Sequence, residues 1–273
     1  MTGDPWDQVG YGVRCEWGPV GASRLGPGSS VLVVVDVLSF TTSVTIAVER
    51  GTVVYPAAWR DERAVQLARE EDAVLAVGRR ETTEERRWSL SPSALAVAPA
   101  PARLVLPSPN GSAIAAAASD GTVVVAGCLR NAAALGAWLR AWCGTQHRPV
   151  TVIPAGERWP DGSLRPALED LLGAGAVIAA LARSDEMVLS PEAAAARALY
   201  LGTGSVLDAV RDCASGAELI AGGFGQDVEL AAQCDVSQIV PGAGRSGVPA
   251  SDCGRSGHVM STRGLRRRCG SPG

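Results

Sequence analysis

The chain has 273 residues, 47% of them hydrophobic and 19% charged, which supports one sizeable buried core and excludes wholesale disorder. Its net charge of −3 and aromatic content of 4% exclude the basic surface and stacking platforms of a nucleic-acid binder. All 25 basic residues are arginine, so no mechanism can use a Schiff-base or phosphate-loop lysine.

The first strong element is the β-branched run Val31–Val35, which ends at Asp36 and reads as a buried parallel strand. Thr41–Arg50 follows as a helix stopped by Gly51. Further strands are predicted at Thr52–Tyr55, Ala73–Val77, Leu104–Leu106, Thr122–Ala126 and Val150–Ile153. Between them the pattern predicts helices at Asp61–Glu71, Gly111–Ala118, Asn131–Cys143 and Pro166–Arg183. Helices at Pro191–Leu201, Gly204–Cys213, Ala217–Ala221 and Gln226–Gln233 come next, then a short strand at Gln238–Val240. The alternation predicts an α/β fold, a three-layer α/β/α arrangement with a parallel or mixed central sheet. The charged stretch Glu81–Trp88 reads as a surface loop. Domain limits fall at a 1–30 N-terminal segment, a 31–241 α/β domain and a 242–273 disordered tail rich in Gly, Ser and Arg.

Localisation follows from what the sequence lacks. No signal-peptide pattern opens it and no long apolar run interrupts it, so the expectation is a cytoplasmic protein with reduced thiols and no membrane partner. Seven cysteines form no CxxC pair, and two histidines cannot build a usual zinc centre.

In open α/β sheets, ligands bind beyond the carboxyl ends of the strands. Asp36 stands at such an end, followed by Ser39, Thr41 and Thr42. A carboxylate there can ligate a hard cation, and hydroxyls at a helix start can hold phosphate oxygens; the same residue types also cap helices. The turn Asn110-Gly111-Ser112 after Leu106 can form an anion nest. Arg130 and Asn131 follow Ala126, and Gly156 and Arg158 follow Ile153. Glu169 and Asp170 open an otherwise apolar helix, where they answer the helix dipole or hold Mg²⁺. Asp227 offers another carboxylate at a helix start. Several phosphatase chemistries are excluded: there is no Cys-x5-Arg loop, no full Asp-x-Asp-x-Thr pattern and no Gly-x-Ser-x-Gly elbow.

Taken together, the segments VVVDVLSFTTSV, SPNGSAIA, AGCLRNAAAL, PAGERWPDGSLRPALEDLLGAGAVI and ELIAGGFGQDVELAAQCD, closing at IVP, resemble the 2-phosphosulfolactate phosphatase family. They span Val31 to Pro241 in the family's order. The resemblance implies a Mg²⁺-dependent phosphatase that converts 2-phosphosulfolactate to sulfolactate and phosphate, a step of coenzyme M biosynthesis. It maps onto Asp36, Thr41, Thr42, Asn110, Gly111, Asn131, Gly156, Glu169, Asp170, Gly175 and Asp227, with Ser108 and Ser112 in place of threonines. Three places depart from the family pattern: Ser39 stands where an arginine is frequent, Gly78-Arg79-Arg80 stands for Gly-Glu-Arg, and Ser89-Leu90-Ser91-Pro92 stands for Gly-Asn-Ser-Pro.

The expectation is therefore a phosphomonoester hydrolase with Mg²⁺ held by some of Asp36, Glu169, Asp170 and Asp227. Asp36 is the central catalytic residue, as nucleophile, base or ligand. Arg130, Arg158 or Arg165 would hold the carboxylate or sulfonate of a small anionic phosphorylated substrate. A homo-oligomer is left open. Two other readings stand beside this one: a catalytically weakened homologue that binds a small anion, motivated by Ser39 and Arg79, and an α/β anion-binding enzyme of another reaction class.

Overall fold

The computed structural model describes residues 4–116, 122–143, 149–182 and 187–242. The expected tail from 243 onward, with its Arg266-Arg267-Arg268 cluster, lies outside the described residues. The described chain begins with the edge strand β1 (Val13–Cys15) and helix α1 (Gly18–Leu25), neither of which the apolar pattern announced. The β-branched run then forms β2 (Val31–Val35), buried along its whole length, and leads into α2 (Phe40–Glu49). Each fully buried valine there contributes about 1.5–3 kcal/mol of hydrophobic stabilisation.

A second group of strands follows: β3 (Val53–Ala57), β4 (Val74–Leu75) and β5 (Arg103–Pro107). They are joined by α3 (Glu62–Glu70) and by α4 (Pro92–Val97). Asp61 caps α3 by accepting from the Arg63 amide, and Ser91 caps α4 by accepting from the Ala94 amide. The chain returns through α5 (Gly111–Ala116), β6 (Val123–Gly127), α6 (Ala132–Cys143) and β7 (Val150–Pro154). A small hairpin of β8 (Glu157–Arg158) and β9 (Leu164–Arg165) precedes the long helix α7 (Leu168–Leu181). Helices α8 (Pro191–Gly202), α9 (Val206–Asp212), α10 (Ala214–Ala221) and α11 (Gly225–Ala231) complete the fold.

The large strands form two sheets, in the orders β1-β7-β2-β6 and β3-β5-β4, and every pairing within them is parallel. In the first sheet Val33 lies opposite both Val125 and Val152. The period-2 alternation of β2 explains the layering. Val31, Val33 and Val35 pack with α6, α7 and α8, through residues such as Leu135, Leu172 and Ala196. Leu32 and Val34 face the other way, into a second core shared with α2, α5 and the inner face of the second sheet through Val54, Leu104 and Leu106. Tyr55, Ala57 and Val105 point outward from that sheet and pack on α3 through Ala64, Leu67 and Ala68. Both sheets are thus covered by helices on both faces, the three-layer α/β/α fold, with its parallel strands divided into two sheets rather than one.

One expected strand is absent. Gln238–Val240 is irregular, and among the described residues this segment pairs with β6 at a single bridge, between Gly242 and Val125. Its polar groups are met instead by side chains: the Ile239 amide donates to Ser237 Oγ at 3.3 Å, and the Ile239 carbonyl accepts from Asn131 Nδ2 at 3.0 Å. Pro241 then removes a donor that a ladder would need. The stretch Glu81–Arg87 is exposed, as the surface-loop reading expected. Among the described residues, no helix is long and apolar enough to cross a membrane.

The small residues of α7 answer to two separate contacts. A Cβ on Gly173 would stand 2.7 Å from Val37 and 2.8 Å from Val35, so glycine lets the helix lie against β2. A Cβ on Gly175 would stand 2.2 Å from the Ala196 carbonyl oxygen, which is backbone of α8 and cannot rotate away. Gly175→Ala is therefore expected to lower stability by about 1–3 kcal/mol through forced separation of α7 and α8. Chemical denaturation checks this, and an unchanged midpoint would contradict the close crossing.

Candidate active site

Asp36 begins the turn after β2, and its carboxylate is buried and divided between two helix starts. The Phe40 amide of α2 donates to Oδ1 at 3.0 Å, and the Gly111 amide of α5 donates to Oδ2 at 3.1 Å. One side chain thereby joins the carboxyl edges of the two sheets. Only glycine fits at 111, because a Cβ there would lie 2.3 Å from the Phe40 ring and 3.0 Å from Asp36 Oδ2.

Asp170 makes the matching bond on the other side. It lies in the first turn of α7, and its Oδ1 accepts from the Val37 amide at 2.7 Å. Its Oδ2 accepts from the Gly156 amide at 2.8 Å. Gly156 has φ of +68°, and a Cβ there would lie 2.9 Å from the Arg165 carbonyl oxygen. The loops after β2 and β7 are thus tied to α7 by one carboxylate.

Glu157 and Glu169 complete a group of four acids. Glu157, at the start of β8, accepts from Asn110 Nδ2 at 3.0 Å. Glu169 is buried next to Asp170, with the Cys213 thiol of the α9–α10 junction beside it. The mutual repulsion is visible in the acidities. Burial raises the Asp36 carboxyl above its ordinary value and Glu169 raises it further, against the Phe40 and Gly111 amides and Arg79. Asp170 is raised well above the usual range by burial, then by Asp36 and Glu169. Glu157 is pushed up to about 7, first by burial and then by Asp36. The Cys213 thiol goes up to about 12 through burial and the neighbouring Glu169, so it is no thiolate nucleophile at neutral pH.

Several residues singled out from the sequence are committed elsewhere. The Thr41 hydroxyl donates to the Asp36 carbonyl at 2.8 Å and accepts from the Asp36 amide at 2.9 Å. The Thr42 hydroxyl donates to the Val37 carbonyl at 2.8 Å. Both hydroxyls build the turn that carries Asp36 instead of facing a ligand. Arg130 turns away to the Leu230 carbonyl, at 3.1 Å, and to Gln233, with Glu49 at 4.0 Å. Asn131 bonds the Cys128 amide and the Ala126 and Ile239 carbonyls. Arg130 and Asn131 therefore fasten the segment after α11 to β6.

Asp227 also has a different place from that expected of a metal ligand. It is completely buried, and its Oδ1 accepts from Ser91 Oγ, the Ser93 amide and Ser93 Oγ at 2.7, 3.0 and 2.5 Å. Its Oδ2 accepts from Arg79 Nε at 3.1 Å. Four donors already neutralise it. Arg79 reaches from Asp227 to Ser39 Oγ and lowers the Asp36 carboxyl, so it links the two acids without bringing them together.

Three further positions border the acid cluster. Arg165 donates to Ser215 Oγ at 3.2 Å, packs over Trp159 and lowers the Glu157 carboxyl. Arg158 is exposed and donates to the Gly162 carbonyl at 3.1 Å. Ser112 is completely buried at the start of α5, and its Oγ has no hydrogen-bond partner among the described residues. A groove of about 450 Å³ lined by Val65, Arg69, Asp72 and Arg103 opens at the amino end of β5, the edge opposite to this chemistry.

The sequence model of 2-phosphosulpholactate phosphatase matches residues 24–245, and so spans every strand of the two sheets except the edge strand β1, and every residue of the acid cluster. The chain belongs to that family. A search of curated proteins finds no match. Membership in the family supports a phosphatase-like hydrolase. Glu157, Arg79, Cys213 and Ser215 were not among the residues that sequence reasoning selected for the site. Glu157 had a readable signal, a carboxylate three residues after a parallel strand; Arg79 had one only as a departure from the family pattern.

Among the described residues, no three His, Cys, Asp or Glu side chains are spaced to hold a metal ion by themselves. Mg²⁺ seldom requires that: one or two carboxylates, waters and substrate oxygens are its usual set. The donors here are hard oxygens; Arg79 acts on Asp36 and Arg165 on Glu157, and four acids against these two cations leave a negative charge that fits a dication.

The raised carboxyls make the stability of the metal-free protein dependent on pH. Glu157 has a folded value of about 7 against an ordinary 4.5. A group raised in this way gives stability that is fully present below the lower value and lost as pH rises through the upper one. The melting temperature in EDTA is therefore expected to fall between pH 4.5 and 7, with Asp36 and Asp170 acting in the same direction. Glu157→Gln is expected to flatten that fall, and an unaltered slope would contradict the assignment.

Proposed function

We propose that this chain is a Mg²⁺-dependent phosphomonoesterase that hydrolyses 2-phosphosulfolactate to sulfolactate and phosphate. The observation that carries the reading is the convergence of Asp36, Glu157, Glu169 and Asp170 at the joined carboxyl edges of two parallel sheets. Asp36 and Glu169 would hold Mg²⁺, since each oxygen of Asp36 keeps a lone pair beyond its amide bond. When bound, Mg²⁺ supplies positive charge to the phosphoryl oxygens and acidifies a water.

The protein's own groups do the rest. Asp170 fixes the loops after β2 and β7, so the acids keep their spacing. The Ser112 hydroxyl, buried and without a partner, donates to a phosphoryl oxygen. Glu157, pushed up to about 7, is protonated in about half of the molecules at neutral pH and in that form can pass its proton to the leaving oxygen. Arg165, and Arg158 at the exposed hairpin, receive the carboxylate or sulfonate of the substrate. The partner is thus a small anionic phosphorylated molecule.

Phosphate release from 2-phosphosulfolactate and from a panel of phosphomonoesters tests the reading. Activity is expected to vanish in EDTA and return with Mg²⁺. Glu157→Gln is expected to lower kcat about 100-fold, the usual scale for loss of a proton donor. Full turnover in excess EDTA would overturn the metal assignment. Absence of phosphate release from every ester would overturn the reaction.

A further inference from the structure

The turn that departs from the family pattern delivers a cation to the edge of the acid cluster. Arg79 opens a short 3-10 turn after β4, and its side chain folds back until it is only 18% exposed. Arg80, its neighbour, stays in solvent. Three contacts fix the Arg79 guanidinium. Nε donates to Asp227 Oδ2 at 3.1 Å, Nη2 donates to Ser39 Oγ, and the Phe224 ring lies 5.8 Å from Cζ.

The anchor behind it is rigid. Asp227 is completely buried, and its other oxygen is already held by Ser91 and Ser93. The ion pair with Arg79 therefore serves to aim the guanidinium more than to neutralise an exposed acid. Ser39, its second contact, lies in the turn between Asp36 and α2, so the guanidinium reaches the loop that carries the central acid. Among the described residues, Nη1 makes no hydrogen bond. An arginine with two nitrogens fixed and one left over has already lost most of its rotamer freedom, so a ligand that it binds need not bear that ordering.

We propose that Arg79 is the residue that clamps the substrate's phosphoryl group, with Nη1, the nitrogen left over from Asp227 and Ser39, directed to a phosphoryl oxygen beside Asp36. The proposal rests on the phosphatase reading for the identity of the substrate, but not for the binding of the phosphoryl anion. It also gives the departures at 39 and 79 a single physical meaning. A small hydroxyl at 39 leaves room beside the turn, and the guanidinium from 79 takes that room.

Titration of the full-length protein with inorganic phosphate, in Mg²⁺, tests this without turnover. Arg79→Ala is expected to weaken phosphate roughly 10- to 100-fold, the range of a charge-assisted hydrogen bond, with Arg79→Lys in between. Arg80→Ala, at the exposed neighbour, is expected to bind phosphate as the native chain does. In the phosphatase assay Arg79→Ala is expected to raise KM and lower kcat together. Equal phosphate affinity in the native chain, Arg79→Ala and Arg79→Lys, or no phosphate binding by the native chain, would overturn the clamp. Arg79-dependent phosphate binding without hydrolysis of any ester would overturn the phosphatase reading and leave the clamp standing. Turnover with a KM indifferent to Arg79 would do the reverse. A misfolded Arg79→Ala leaves the comparison to Arg79→Lys, which keeps the charge but not the fork.

Discussion

The carboxylate of Asp36 accepts one backbone amide from the start of α2 and another from the start of α5. Those helices follow strands of different sheets, so one buried acid ties together the carboxyl edges of two sheets that also share a core. Removing it would leave two buried amides without a partner, at about 1–3 kcal/mol each. Asp170 extends the same device by holding the amides of Val37 and Gly156. The result is a set of loops fixed by carboxylates that remain close to one another. That closeness is unfavourable in itself, as the raised pKa values of Asp36, Glu157 and Asp170 record. In the proposed reading, a site with acids gathered in this way takes up a cation and, through it, an anionic substrate.

The second constraint is the close approach of backbone at glycines. Gly111 admits the Phe40 ring, Gly173 admits β2, and Gly175 admits α8. Gly156 adds a positive φ that lets its amide turn back to Asp170. The acids can converge only because these positions carry no side chain.

Much of the fold is legible in the sequence, for particular reasons. Val31–Val35 is apolar throughout, with four valines of five, and buried on both faces, so its run has no polar interruption to blur it. The caps at Asp61 and Ser91, and Pro191 at the start of α8, are local and visible. The edge strand β1 is only three residues long and contains Arg14, whose buried guanidinium reaches Thr151, Ser29 and the Leu25 carbonyl. No apolar alternation marks such a strand. Gln238–Val240 misleads in the opposite sense, because its satisfaction by Asn131 and Ser237 is tertiary. The site divides in the same way. Asp36, Glu169 and Asp170 stand at strand and helix ends on the edge where ligands of open α/β sheets bind. Asp227 stands at a similar place, yet its neighbours Ser91, Ser93 and Arg79 come from more than 130 positions away and make it an anchor. Glu157 stands three residues after β7, where the strand-end reading could have reached it, whereas Arg79 lies in an aperiodic turn and only the folded chain shows where its side chain goes.

The central claim is that the acids joined at Asp36 form one cation and phosphate site. A crystal structure grown with Mn²⁺ and inorganic phosphate tests it most directly, because the anomalous signal of Mn²⁺ locates the ion independently of the refined coordinates. The account predicts a single strong peak against Asp36 and Glu169, with phosphate between the ion and the start of α5. An ion seated at Asp227, at the groove beside α3, or nowhere near Asp36 would contradict it.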